Sequence, residues 1–188
     1  MRCLRFCATV LFLITMFALA APAQSSSDSS MKQSSMSSMG KSSGSLSMAD
    51  QKFMKEAADG GMAEVELGQL AAQKGSSDDV KKFGQRMVDD HSKANDQLKQ
   101  IASEKGVSLP QEPSAKHKAT KERLSKLSGS AFDKAYMADM VKDHTTDVAD
   151  FRKESTTGKD TDVKNFAQQT LPTLEDHLKQ AKSVATTQ

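Results

Sequence analysis

The chain has 188 residues, with 26 basic and 24 acidic side chains, one tyrosine, no tryptophan and two cysteines. One domain is the default at this length. The near-balance of charge argues against an electrostatic nucleic-acid binder; the two cysteines are Cys3 and Cys7.

Residues 1–23 have the pattern of a secretory signal peptide. Arg2 and Arg5 precede the apolar run "ATVLFLITMFALA" (Ala8 to Ala20). Cleavage after Ala20 or after Ala23 fits the small-x-small rule. The run is short for a retained membrane anchor. Cleavage removes both cysteines and two arginines, so 26 basic side chains become 24 against 24 acidic ones. The mature chain then has zero formal charge, no thiol chemistry and no integral membrane span. The expected location is the periplasm or the periphery of the outer membrane, with no nucleic-acid partner and no protein partner that the sequence identifies.

Residues 24–47 form a Ser/Met-rich stretch expected to be a disordered linker, because it has too little apolar surface to offset its ordering entropy. Met31, Met36, Met39 and Met48 are thioethers of the kind that suits Cu(I), or incidental side chains of a tether.

Helical texture begins near Met48, and residues 48–185 read as one domain. Segment A runs from Met48 to Lys74, with a capping pattern at Ser47 and Asp50 and a stop at Gly75. Segment B runs from Ser77 to Lys105 and stops at Gly106. Residues 106–129 form a long connection: Pro110 and Pro113 keep its first half extended, and Ser114 to Leu127 suit a short crossover helix. Segment C spans Ser130 to Thr157, with Ser130 and Asp133 as a second capping box. Segment D spans Asp160 to Ala185, with Pro172 inside it as a potential kink. Four such helices are about 38–40 Å long. Two short turns and one long middle connection predict an all-α, ferritin-like four-helix bundle. Alternating strand patterns are missing.

Each apolar stripe is interrupted once by a titratable residue: Glu64 in A, His91 in B, His144 in C and His177 in D. Helical rise puts them at about 17, 22, 21 and 15 Å from one end, a single layer. One carboxylate and three neutral imidazoles are good ligands for a divalent transition metal such as zinc, copper or iron. The same four groups could instead form a hydrogen-bonded layer that fixes helix register. Carboxylate-bridged iron pairs in bundles use Glu-x-x-His twice. Here Val88, Val141 and Leu174 stand three before the histidines, which disfavours that chemistry. Asp90 and Asp143 are expected to be exposed or to support the histidines from behind. His117 is expected in solvent and Tyr136 at the core edge. No Ser–His–Asp arrangement, phosphate loop or zinc-finger spacing appears.

The stretches "EVELGQLAAQKGSSDDVKKFGQRMVDDHSKANDQL", "AFDKAYMADMVKDH" and "LPTLEDHL" together resemble a bacterial family of secreted domains of unknown function, often labelled outer membrane proteins. The resemblance covers about residues 48–183. It implies a ferritin-like bundle in the cell envelope and supplies no reaction. The family's recurrent positions fall on Glu64, His91, His144 and His177. No catalytic residue is assigned. Three functional readings follow: a non-catalytic envelope protein that binds metal or serves stress tolerance through the Glu/His layer, a metal-dependent redox enzyme using that layer, or a partner-binding helical module.

The composition of 24–47 yields a test. A chain beginning at Ser47 is expected to keep the circular dichroism and melting temperature of the longer chain to within a few degrees. A large drop in either would mean that the segment packs on the bundle.

Overall fold

The computed structural model describes residues 46–188; residues 1–45, with the expected signal peptide, Met31, Met36 and Met39, lie outside the described residues. Five helices follow in order: α1 (Met48–Lys74), α2 (Asp78–Lys105), α3 (Ala115–Ser125), α4 (Gly129–Thr157) and α5 (Thr161–Ala185). Among the described residues there is no strand, and no helix is long and apolar enough to cross a membrane.

Local chemistry sets most helix ends. Ser47 Oγ accepts from Asp50 N at 3.1 Å, and Ser77 Oγ accepts from Val80 N at 3.2 Å. Asp160 accepts from Asp162 N and Val163 N. These side chains satisfy amides that have no carbonyl partner in a first turn. Gly106 ends α2 in the left-handed region, at φ 67°. The start of α4 differs from expectation. The helix opens at Gly129, and Asp133 does not close a capping box with Ser130. Its carboxylate finds a better donor set across the bundle: Ser76 N at 2.9 Å, Ser77 N at 2.8 Å and Ser76 Oγ at 2.5 Å. Helix α5 continues through Pro172. Pro172 and Gln168, whose carbonyl it leaves unbonded, are both exposed, so water can replace the missing amide.

The turn between α1 and α2 meets the start of α4 through Asp133. The turn between α4 and α5 meets the start of α1, where Asp50 accepts from Lys159 N at 3.1 Å and Asp160 N at 3.0 Å. Hence α1–α2 and α4–α5 are antiparallel hairpins, while α2 and α4 run the same way. The long connection carries the chain back along the bundle, the ferritin-like closure. Helix α1 packs on α4, and α2 packs on α5. Helix α3 lies against α1 and α4, held by Lys121–Glu66 at 2.9 Å, an Arg123–Asp139 pair and fully buried Leu124.

The two hairpins are related by a constant offset of 83 residues, seen in Asp50 and Asp133, Gly75 and Gly158, Val80 and Val163, and Phe83 and Phe166. The helix boundaries obey it too: α1 ends at Lys74 and α4 at Thr157, α2 begins at Asp78 and α5 at Thr161. Each buried aspartate therefore ties down the turn of the other hairpin. The apolar core has two parts. One contains Leu67, Phe83, Met87, Phe132, Tyr136 and Met140. The other contains Phe53, Met54, Leu98, Phe151, Phe166 and Leu174. Tyr136 is fully buried rather than at the core edge, stacked on Phe132 with ring centroids 5.9 Å apart. Along every long helix, the residue between the two parts is Glu64, His91, His144 or His177.

The paired clasps should dominate end stability. Replacing Asp133 with Ala leaves two buried-side amides and a hydroxyl without their acceptor, an expected loss of about 3 kcal/mol. Asp50→Ala should destabilise in the same direction by less, having fewer donors to strand. Urea unfolding of the two variants checks both the sign and the order.

Candidate metal centre

The layer expected from the sequence is present, and its four members are buried: Glu64 is 3% exposed, His91 7%, and His144 and His177 are fully enclosed. The three rings gather closely. Centroids lie 5.7 Å apart for His91–His144, 5.4 Å for His91–His177 and 5.3 Å for His144–His177. One ring nitrogen of each lies within 4.8 Å of one on each of the others.

Neighbours fix the tautomers of two rings. His144 Nδ1 lies 3.0 Å from the Met140 carbonyl, which can only accept, so Nδ1 carries the proton. His177 Nε2 lies 2.8 Å from Asp90 Oδ2 and donates to it. Arg86 steadies Asp90 at 3.2 Å and reaches Asp176 at 2.8 Å. Among the described residues, the ring nitrogens left with no partner are His144 Nε2, His177 Nδ1 and, on the third ring, His91 Nε2. None of the four layer residues forms a hydrogen bond to another. Glu64 Oε1 stands 3.7 Å from His144 Nδ1, beyond hydrogen-bond range, and Glu64 Oε2 has no partner.

The structure thus divides the expected single layer. His91, His144 and His177 form one group; Glu64, His144 and Asp147 form a second that shares His144. Asp147 was not among the sequence candidates. It stands three residues after His144, on the same helical face, whereas the Glu-x-x-His pattern puts its carboxylate three residues before the histidine. It is also the offset partner of Glu64 in the second hairpin. Other expectations change as well. His117 is only 17% exposed, because α3 lays it against Asp59 at 3.2 Å. Asp143 is half-buried. Asp90 keeps an expected role, supporting His177 from behind.

Burial dominates the electrostatics. It pulls His91 well below the ordinary histidine value, with His144 and His177 adding to the effect. It brings His144 down to about 4, and it lowers His177 against the upward pull of Asp90. All three rings are neutral at neutral pH, the protonation state that binds metals. The carboxyls move the other way. Glu64 is raised well above its usual range by burial and by Asp147, Asp143 and Asp139. Asp147 rises to about 7 through burial, Asp143 and Asp150. Tyr136 is raised by burial and by Glu64. Three neutral imidazoles in one place, each with a free nitrogen, form a ligand set suited to a borderline divalent ion.

The family described as "Domain of unknown function (DUF4142)" matches residues 35–184. Among solved structures, a crystal structure of a DUF305 fragment from Deinococcus radiodurans is similar, with a TM-score of 0.68 and 13% sequence identity, over 76% of this chain and 99% of that one. Identity at that level shows the shared helical fold alone. No curated protein matches the chain.

The opposed shifts have a measurable consequence in metal-free protein. His144 binds its proton more weakly when folded, at about 4 against 6.5, so its contribution is intact above 6.5 and is lost as pH falls towards 4. The loss is on the order of 3 kcal/mol. Glu64 binds its proton more tightly when folded, so its penalty grows as pH rises past 4.5. Glu64→Gln is therefore expected to stabilise chelator-treated protein at neutral pH and to flatten that limb of the urea-unfolding profile. A Gln variant less stable than wild type at neutral pH would contradict the buried-charge reading.

Proposed function

The chain belongs to the DUF4142 family, a domain of unknown function, and we propose that it is a non-catalytic protein of the bacterial cell envelope that binds a divalent transition metal through His91, His144 and His177. The single observation that carries this reading is the set of three unpartnered, buried ring nitrogens, one from each histidine. A buried polar atom without a partner costs about 1–3 kcal/mol. Three of them in one place, with no bond between the rings, call for an electrophile that all three can share.

Zinc, copper and iron fit the set; magnesium and calcium, which take oxygen ligands, do not. The Asp90 carboxylate behind His177 and the Met140 carbonyl behind His144 match the supports that orient metal-binding imidazoles. The envelope location rests on the signal-peptide pattern of residues 1–23. Metal sequestration there would serve stress tolerance. The absence of Glu-x-x-His pairs weighs against the redox-enzyme reading.

Elemental analysis of protein purified without a histidine tag tests the reading. Wild type is expected to hold zinc, copper or iron, or to take it up, and to gain melting temperature with it. His91→Ala should lose both uptake and the metal-dependent rise. Wild-type protein that refuses all three metals would sink the proposal and leave the layer as a structural feature. Peroxide- or oxygen-dependent turnover by loaded protein would favour the redox enzyme. Partner capture that survives loss of all three histidines would favour the partner-binding module. Fractionation of expressing cells tests the envelope location separately.

A further inference from the structure

We propose that Glu154 serves the Asp50 clasp as a proton donor, so that this end of the bundle is closed below neutral pH and loosens as pH rises, while the Asp133 clasp at the other end does not respond. The inference is independent of the metal reading. Asp50 lies in the first turn of α1 and Glu154 in the last turn of α4, away from the histidine layer.

The repeated hairpin shows what the Asp50 end lacks. Asp133 receives two amides and a hydroxyl, the last from Ser76 Oγ at 2.5 Å. Asp50 receives the two equivalent amides, from Lys159 and Asp160. The residue at the Ser76 position is Lys159, which has no hydroxyl, and the residue opposite Ala71 is Glu154. A hydroxyl is thus lost from the second turn and a carboxyl gained beside it. Both acids are buried, Asp50 at 1% and Glu154 at 6% exposure. The Glu154 carboxyl lies within hydrogen-bonding reach of Asp50, and its Oε1 has no partner among the described residues. Two ionised carboxylates only accept and repel each other; one proton between them turns one into a donor. Each oxygen of Asp50 already accepts an amide, so Glu154 is the side that donates. Gly158 makes room for it, since a Cβ there would stand 2.6 Å from Glu154 Oε1.

The surrounding cations do not replace the proton. Burial first, and Asp50 second, hold Glu154 up at about 7 against the opposing pull of Lys153 on its own helix and Lys164 on α5. Lys105 of α2 is engaged with Asp160 at 2.7 Å and Asp162 at 2.5 Å. Below about 7 the donor is in place; above it two carboxylates face each other. The folded value exceeds the ordinary 4.5, so the penalty on folding starts as pH passes 4.5 and is complete above about 7. The Ser76 hydroxyl keeps its proton throughout, which leaves the other clasp unchanged.

An NMR pH titration of the chelator-treated full chain tests this, following the Glu154 side-chain carboxyl carbon and the backbone amides of both turns. Wild type is expected to show Glu154 inflecting near pH 7, with the Lys159 and Asp160 amides on the same curve and those of Ser76 and Ser77 flat across it. Glu154→Gln supplies a permanent amide donor and should abolish the transition at Lys159 and Asp160. Asp50→Asn removes the facing charge and should move the Glu154 inflection to lower pH. Inflection of wild-type Glu154 in the ordinary carboxylate range, or Lys159 and Asp160 amides that do not follow it, would overturn the donor role. An inflection unmoved in Asp50→Asn would overturn the pairing, and a matching curve at Ser76 and Ser77 would overturn the difference between the two ends.

Discussion

The bundle is organised around the burial of one carboxyl and three imidazoles midway along its four long helices. Each of these groups would be better solvated outside. Unpartnered buried groups at about 1–3 kcal/mol apiece consume a large part of the roughly 5–15 kcal/mol that holds a domain of this kind together. The remainder of the sequence is arranged to make that burial sustainable. Two apolar cores flank the layer, and buried aspartates lock both ends of the bundle. Desolvation does the rest, since it lowers the proton affinity of the rings and raises that of Glu64, so each group shifts towards its neutral form.

The repeated hairpin explains how such a layer is assembled and why it is lopsided. Structural positions keep the offset: the tying aspartates, the stop glycines and the apolar residues after each turn. The carboxylates keep it as well, in Glu64 and Asp147. The histidines do not. His144 corresponds to Gly61, His91 to Leu174 and His177 to Ala94. The scaffold is therefore twofold in character while the donor set is not. Two near-identical pentapeptides, "MVDDH" and "MVKDH", belong to non-equivalent positions and converge because α2 and α4 cross the layer in the same direction.

Much of this was legible in the sequence because its causes are local. A serine with an amide three residues on, or a glycine after a periodic run, fixes a helix end regardless of what lies across the bundle. One polar residue per apolar stripe, at a common height, identifies Glu64, His91, His144 and His177. Spacing gives face and height. It does not give ring orientation, so the split into two groups sharing His144 was invisible. Asp133 illustrates the other limit. Its local pattern promised a capping box, and a richer donor set 57 residues away in the chain prevailed. His117 and Tyr136 changed environment for the same reason, since α3 and Phe132 supply burial that neither flank announces. Asp147 is readable from spacing as well, since it follows His144 by one helical turn.

The direction of the helices has a mechanical consequence. Helices α1 and α5 run the same way, so Ser47 and Ala185 stand at opposite ends of a rod about 40 Å long. Tension applied between these two points would load the helices along their axes. It would act in shear across both hairpins at once instead of peeling one helix at a time. Shear of this kind must break the aspartate clasps and slide the histidine layer out of register together. A molecule held at one end and pulled at the other would therefore resist extension until it yields as a unit, and its central donor set would disperse in that same event.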